Sequence, residues 1–185
     1  MTTPSQTVGP FLSIALRWPD GADVVPDGTP GAVWLRGRVI DGEDEPVLDA
    51  LVETWQADAD GRFDHPDDPR GRVASAVPGF RGFGRSETRS GEWAIRTVKP
   101  GRVPDDRGGL QAPHLDVSVF ARGLLDRVVT RIYFADDAEA NSADVVLASL
   151  PDDAARATLL ARPSDDGYRL DLVLQGPDET TFFTV

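Results

Sequence analysis

Aspartate–glycine pairs punctuate this chain five times, at Asp20-Gly21, Asp27-Gly28, Asp41-Gly42, Asp60-Gly61 and Asp166-Gly167. Such pairs supply the left-handed backbone of tight turns at little steric cost. Between the turns lie short segments rich in Val, Ile, Leu and aromatic residues, at 33–40, 51–56, 93–98, 115–121, 128–134, 168–175 and 181–184. Tyr168, Leu170, Leu172 and Leu174 alternate with Arg169, Asp171, Val173 and Gln175, and Leu115, Val117 and Val119 alternate with Asp116, Ser118 and Phe120. That is the period of a strand with one buried face. Many short strands separated by turns predict an all-β domain, a β-sandwich or a barrel. One stretch departs from the pattern. Residues 136–162 are rich in Ala, Leu and Asp, and Pro151-Asp152-Asp153 opens a short helix with acids in its first turn, which Pro163 ends. Residues 1–32 carry little apolar periodicity and read as an extended N-terminal arm and loop, the front of a single domain spanning 1–185.

Composition narrows what such a domain can do. Thirty-one Asp and Glu against 19 Lys and Arg give a net charge of −12, and Lys99 is the only lysine. With no basic cluster, the chain would repel nucleic-acid phosphates and anionic lipid over most of its surface. A hydrophobic fraction of 40% is enough for a packed core. The absence of cysteine removes disulfides, thiolate catalysis and Cys-ligated metals. Two histidines, His65 and His114, and two tyrosines, Tyr133 and Tyr168, leave few metal donors of those types. No apolar run approaches the ~20 residues of a membrane span. Met1–Pro10 lacks the basic and apolar regions of a signal peptide, so a cytoplasmic protein is expected.

Individual constellations read modestly by themselves. His65 lies in an acid-rich stretch, Asp60 to Asp68, without calcium-loop spacing, and reads as a solvated hairpin tip. His114 and Asp116 stand two apart on a strand and point the same way, half of a metal site at most. Gly79 to Arg85 reads as a sharp loop rather than an RNA-binding tract, given the acidic balance. From the residues alone the chain is a soluble all-β domain that serves an interface.

Ordered motifs along the whole chain carry more. Thr3-Pro4-Ser5-Gln6-Thr7-Val8-Gly9-Pro10-Phe11 resembles the N-terminal arm of the intradiol ring-cleaving dioxygenases, and Val52-Glu53-Thr54-Trp55-Gln56-Ala57-Asp58-Ala59-Asp60-Gly61 resembles their central strand and turn. Gly84-Arg85, Gly91-Glu92-Trp93, Thr97-Val98-Lys99-Pro100-Gly101, Ala112-Pro113-His114, Val119-Phe120-Ala121-Arg122-Gly123 and Thr130-Arg131-Ile132-Tyr133-Phe134 follow in the family's order. Tyr168-Arg169-Leu170-Asp171 and Thr180-Thr181-Phe182-Phe183 complete the resemblance.

The resemblance implies a β-sandwich of the intradiol dioxygenase type with a few short helices. The family's catalytic chains hold a non-haem ferric ion with two tyrosines and two histidines. At the matching positions this chain has Phe63, Val103, His114 and Asp116, and Gln111 replaces a helper arginine. Phenolate oxygens hold the ferric state, and one imidazole with one carboxylate does not replace them. The resemblance therefore implies a chain that binds no metal and contributes no catalytic residue. It would be an α subunit whose β subunit ligates Fe(III), the complex acting on protocatechuate and O2 to give 3-carboxy-cis,cis-muconate in aromatic catabolism. The matched substrate-pocket residues are Thr7, Gly9, Pro10 and Arg122. A guanidinium at position 122 suits either a substrate carboxylate or an interface ion pair. Two other readings stand beside this one. A β-sandwich binding or carrier module needs no second chain, and a lone dioxygenase with an altered ligand set around His114 and Asp116 would hold its own metal.

Overall fold

The computed structural model of the chain describes residues 3–9, 11–17, 19–68 and 70–184. After a four-residue helix α1 (Leu12–Ala15), strands β1 (Ala32–Gly37), β2 (Val39–Ile40), β3 (Leu51–Trp55), β4 (Phe83–Glu87), β5 (Trp93–Val98), β6 (His114–Phe120) and β7 (Val128–Phe134) follow. Three short helices, α2 (Ala138–Ser142), α3 (Val145–Ser149) and α4 (Asp153–Ala157), precede β8 (Leu160–Ser164), β9 (Gly167–Arg169) and β10 (Leu172–Val173).

The sheet order is β4-β3-β6-β7-β8-β9-β1-β5, with β10 pairing β2 separately. The first half of β8 pairs with β7 at Leu160 and Ala161, and its second half pairs with β9 from Arg162 to Ser164. One strand thus carries the sheet round a corner and folds it into two facing layers, the sandwich that the resemblance implied and one of the two architectures that the turn spacing left open. Leu35, Val52, Trp93, Ile95, Leu115, Val117, Val119, Ile132, Phe134 and Leu172 fill the space between the layers. On β6, Leu115, Val117 and Val119 are buried while Asp116, Ser118 and Phe120 are half-buried, as the alternation predicts. A second, smaller cluster of Ala112, Tyr133, Leu147 and Leu159 sits where α3 and its flanks cover β7.

The structure departs from the sequence reading in particular places. Phe83–Glu87, in and after the expected loop at Gly79–Arg85, forms β4 and pairs with β3. A Cβ on Gly84 would meet Thr54 Oγ1 and Val24 Cγ2 at 2.9 Å, so the glycine that looked like loop marks close strand packing. The helix expected from Pro151 is α4, but it ends before Leu160, and Pro163 lies inside β8. The strand expected at 168–175 is split into β9 and β10. Its pairing continues across the break, where Arg38 N bonds the Asp171 carboxylate at 2.8 Å. Residues 181–184 make a single bridge, Val129 to Phe183, rather than a strand. Within the expected arm and loop, Val24 and Val25 are fully buried, and Asp23 bridges Arg96 of β5. The exposed arm is therefore shorter than residues 1–32. Among the described residues, no helix is long and apolar enough to cross a membrane.

Candidate functional site

Residues singled out in the sequence lie at each end of strand β6. At its start, His114 and Asp116 share the outer face, away from the sandwich core. Antiparallel pairing sets Trp55 of β3 and Arg131 of β7 on either side of Asp116, and Tyr133 beside His114. Arg131 Nε donates to Asp116 Oδ1 at 2.9 Å, and its terminal nitrogen donates to Gln111 Oε1 at 2.7 Å and lies 3.3 Å from Tyr133 Oη. Tyr133 is fully buried, its ring centroid 5.5 Å from that of His114. Its hydroxyl donates to Asp144 Oδ1 at 3.3 Å.

Asp144 is a hub that sequence reasoning missed. Its Oδ1 caps α3 by accepting from Val146 N and Leu147 N, while Oδ2 accepts from Ala112 N at 2.7 Å. One buried carboxylate thus ties the helix, the entry to β6 and the tyrosine together. Asp144 directly before Val145 is an N-cap signal, and it could have been read. Its reach back to Ala112 could not. Burial raises the Tyr133 phenol well above its ordinary range, so it stays protonated. Burial, followed by the nearby Arg131 cation, lowers His114 and keeps its ring neutral.

The other positions matched to ligands line the same end. Phe63 stacks on Trp55 with centroids 6.0 Å apart and planes 6° off parallel. Val103 is buried, and its carbonyl accepts from Gln111 N at 2.8 Å. His65 packs edge-on to Trp55, and these rings with Asp67 and Asp68 line a cleft of 380 Å³. The acid-rich stretch is only partly the solvated tip expected. Asp67 is exposed, but the Asp68 side chain is fully buried. Asp68 accepts from Arg70 at 3.0 Å and from Phe63 N at 3.0 Å, holding the loop that carries Phe63. Among the described residues, no group of three or more His, Asp or Glu is placed to hold a metal ion.

At the far end of β6, the arm lies over the turn into β7. Thr7 Oγ1 accepts from Gly123 N at 2.8 Å, and Ser5 Oγ donates to Leu125 O at 2.6 Å and Asp126 Oδ1 at 2.8 Å. These bonds bring Thr7 to the residue next to Arg122. Gly9 O accepts from Leu12 N at 3.2 Å where α1 begins, and a Cβ on Gly9 would meet nothing within 4 Å. Arg122 pairs with Asp49, and its side chain is 64% exposed. Pro10 lies outside the described residues. Phe11 and Ile14 of the same segment are exposed, 72% and 52%. The two ends of the seven-residue strand are six residue steps apart, about 20 Å.

Comparison with known proteins gives the family and the fold. A family model described as "Dioxygenase" matches residues 20–176. The protocatechuate 3,4-dioxygenase alpha chain of Burkholderia cepacia is 42% identical over 201 residues, covering 99% of this chain and 97% of that one. The beta chain of the same name and organism is 36% identical over 157 residues, covering 79% of this chain and 65% of that one. Among solved structures, the dioxygenase domain of a dioxygenase–carbohydrate-binding fusion from Streptomyces sp. SirexAA-E has a TM-score of 0.61 at 24% identity, covering 94% of this chain and 99% of that one. The last of these bears on the fold alone.

Proposed function

The chain belongs to the intradiol ring-cleaving dioxygenases, and from that membership we propose that it is the α subunit of a protocatechuate 3,4-dioxygenase, completing a substrate pocket whose iron is held by a β-type partner. The observation that carries the reading is the separation of the two ends of β6. At one end, the residues present do not fit a ferric ion. Phe63 offers no oxygen and Val103 no donor, Asp116 is already paired with a guanidinium, and Tyr133 is held as a phenol. No step of ring cleavage is therefore assigned there. At the other end, about 20 Å away, the arm at Thr7 meets Gly123, the neighbour of Arg122, in a surface remote from this chain's own ligand-matched positions. Such a surface can serve a pocket only on a neighbouring molecule.

The relative named as a beta chain supports a partner of the same fold, since it is 36% identical to this chain over 157 residues. In this reading Thr7, Gly9, Pro10 and Arg122 line one wall of the partner's pocket. The space beside Gly9 Cα leaves its backbone open to close approach by a ligand. The Arg122 guanidinium offers a fork of donors to the carboxylate of protocatechuate, taking it over from Asp49. The arm orients the ring and excludes water while the partner carries out the chemistry. The overall conversion adds both atoms of O2 to protocatechuate, giving 3-carboxy-cis,cis-muconate, and requires no outside reductant.

Paired expression tests this. The chain is purified alone and with a β-type chain, and O2 uptake is measured with protocatechuate. No uptake by the lone chain and one O2 per substrate by the complex are expected. Uptake by the lone chain contradicts the proposal. A stable chain that does not associate with any β-type partner supports the binding-module reading instead.

A further inference from the structure

The start of β6 is organised around a cation that belongs to the protein. Arg131 projects from β7 into the group formed by Asp116, Gln111 and Tyr133, with oxygens at 2.9, 2.7 and 3.3 Å from its guanidinium nitrogens. Neutral His114 donates from Nδ1 to Ala112 O at 2.8 Å, so the ring lone pair is on Nε2. No hydrogen bond to Nε2 is found among the described residues. Orientation by a backbone carbonyl is the arrangement that prepares an imidazole to bind a metal. A carboxylate stands two residues along the same face. The cluster therefore keeps two donors of a metal site and places a guanidinium beside them.

We propose that Arg131 is a built-in cation that takes the charge-balancing place of a metal ion among His114, Asp116 and Gln111 and keeps metals out of this end of the chain. This rests on the α-subunit reading only in taking these as ligand-matched positions. A guanidinium stays charged at every physiological pH and cannot dissociate from the chain. It satisfies the Asp116 carboxylate and repels any second cation brought against it. Asp144 reinforces the arrangement by fixing both Tyr133 and the entry to β6. The consequence for a two-chain enzyme is that iron is directed to one chain only, whatever the metal supply.

Cobalt(II) binding to the full chain is the test, read by equilibrium dialysis and by the visible spectrum of the bound ion. Arg131→Met removes the charge and keeps much of the bulk. It is expected to bind cobalt at least tenfold more tightly than the wild type, and Arg131→Met/His114→Ala is expected to lose that gain. Arg131→Lys, which keeps the charge, should resemble the wild type. Circular dichroism and a cooperative melt establish that each variant is folded. If Arg131→Met does not fold, Arg131→Gln takes its place with the same expectations, because it can still donate to Asp116. A folded neutral variant no tighter than the wild type, or a gain that survives loss of His114, overturns the proposal alone. A wild-type chain that itself holds stoichiometric iron overturns both this proposal and the α-subunit reading.

Discussion

Arg122 and Asp68 are both arginine–carboxylate pairs, and they call for opposite expectations. Arg122 is exposed, and its partner Asp49 holds it at the surface. Exposed pairs of this kind contribute little stability, so Arg122→Ala should leave the melting temperature of the chain nearly unchanged. In the α/β complex the same change should lower kcat/KM for protocatechuate by tenfold or more, the loss of a charge-assisted hydrogen bond of about 1.5–3 kcal/mol. Turnover of catechol, which lacks the carboxylate, should change little. Equal losses on both substrates would assign Arg122 to the interface instead. Asp68 is buried, and hydrogen bonds from Arg70 hold its carboxyl well below the ordinary range. A lowered carboxyl pKa contributes stability in full above about pH 4 and loses it as pH falls further. Asp68→Asn should destabilise the loop by about 1–3 kcal/mol at pH 7 and flatten the acid limb of the stability curve. Proteolysis of the 61–72 loop with pH would report it. Arg122 was singled out in the sequence through the resemblance of Val119-Phe120-Ala121-Arg122-Gly123 to the family's motif. Asp68 was not, because five acids in and around one loop, Asp58, Asp60, Asp64, Asp67 and Asp68, read as solvated and nothing local marks the one that is covered.

At the scale of elements, the strands with strict alternation were legible, and those whose identity depends on a distant neighbour were not. Strands β6 and β7 are written in their own residues. Strand β4 is short, contains a glycine and follows a loop, so only its pairing with β3 defines it. Strand β8 contains Pro163 and depends on β7 and β9. The most demanding position in the sheet is Gly37, the last residue of β1, where a Cβ would fall 1.7 Å from the carbonyl oxygen of Leu170. Gly37→Ala must push the 170–171 segment away and break the Arg38 bond to Asp171, a loss of at least ~2 kcal/mol. Thermal unfolding would show it as a lowered midpoint, and an unchanged midpoint would mean that the seam yields freely. Lys99, at the end of β5, bonds Asp136 at 3.1 Å and lies 2.9 Å from Asp137, joining the two layers of the sandwich. Burial alone would lower its pKa, and the two aspartates more than offset this and raise it. Lys99→Met should cost about 1 kcal/mol by the same melt, mostly through Asp136 and Asp137 left facing each other.

For the whole molecule, turn spacing and alternation gave an all-β domain, the family resemblance chose a sandwich over a barrel, and the likeness to solved dioxygenases agrees with it. The positions matched to metal ligands came from the resemblance alone, which sets Phe63, Val103 and Asp116 where the family's catalytic chains carry two tyrosines and a histidine. The internal cation was not legible, because Arg131 is one of many arginines until the pairing of β6 with β7 sets it opposite Asp116. Nor was the distance of the arm from those positions, which depends on how the strand runs through the fold. That distance underlies the central claim, that this chain completes a metal site it does not itself contain. The most direct measurement is the iron content of the purified α/β complex, counted against both polypeptides. The α-subunit role predicts one ferric ion per pair of chains, retained by the β-type chain when the two are separated. Two ions per pair, or iron that follows this chain on separation, would contradict it.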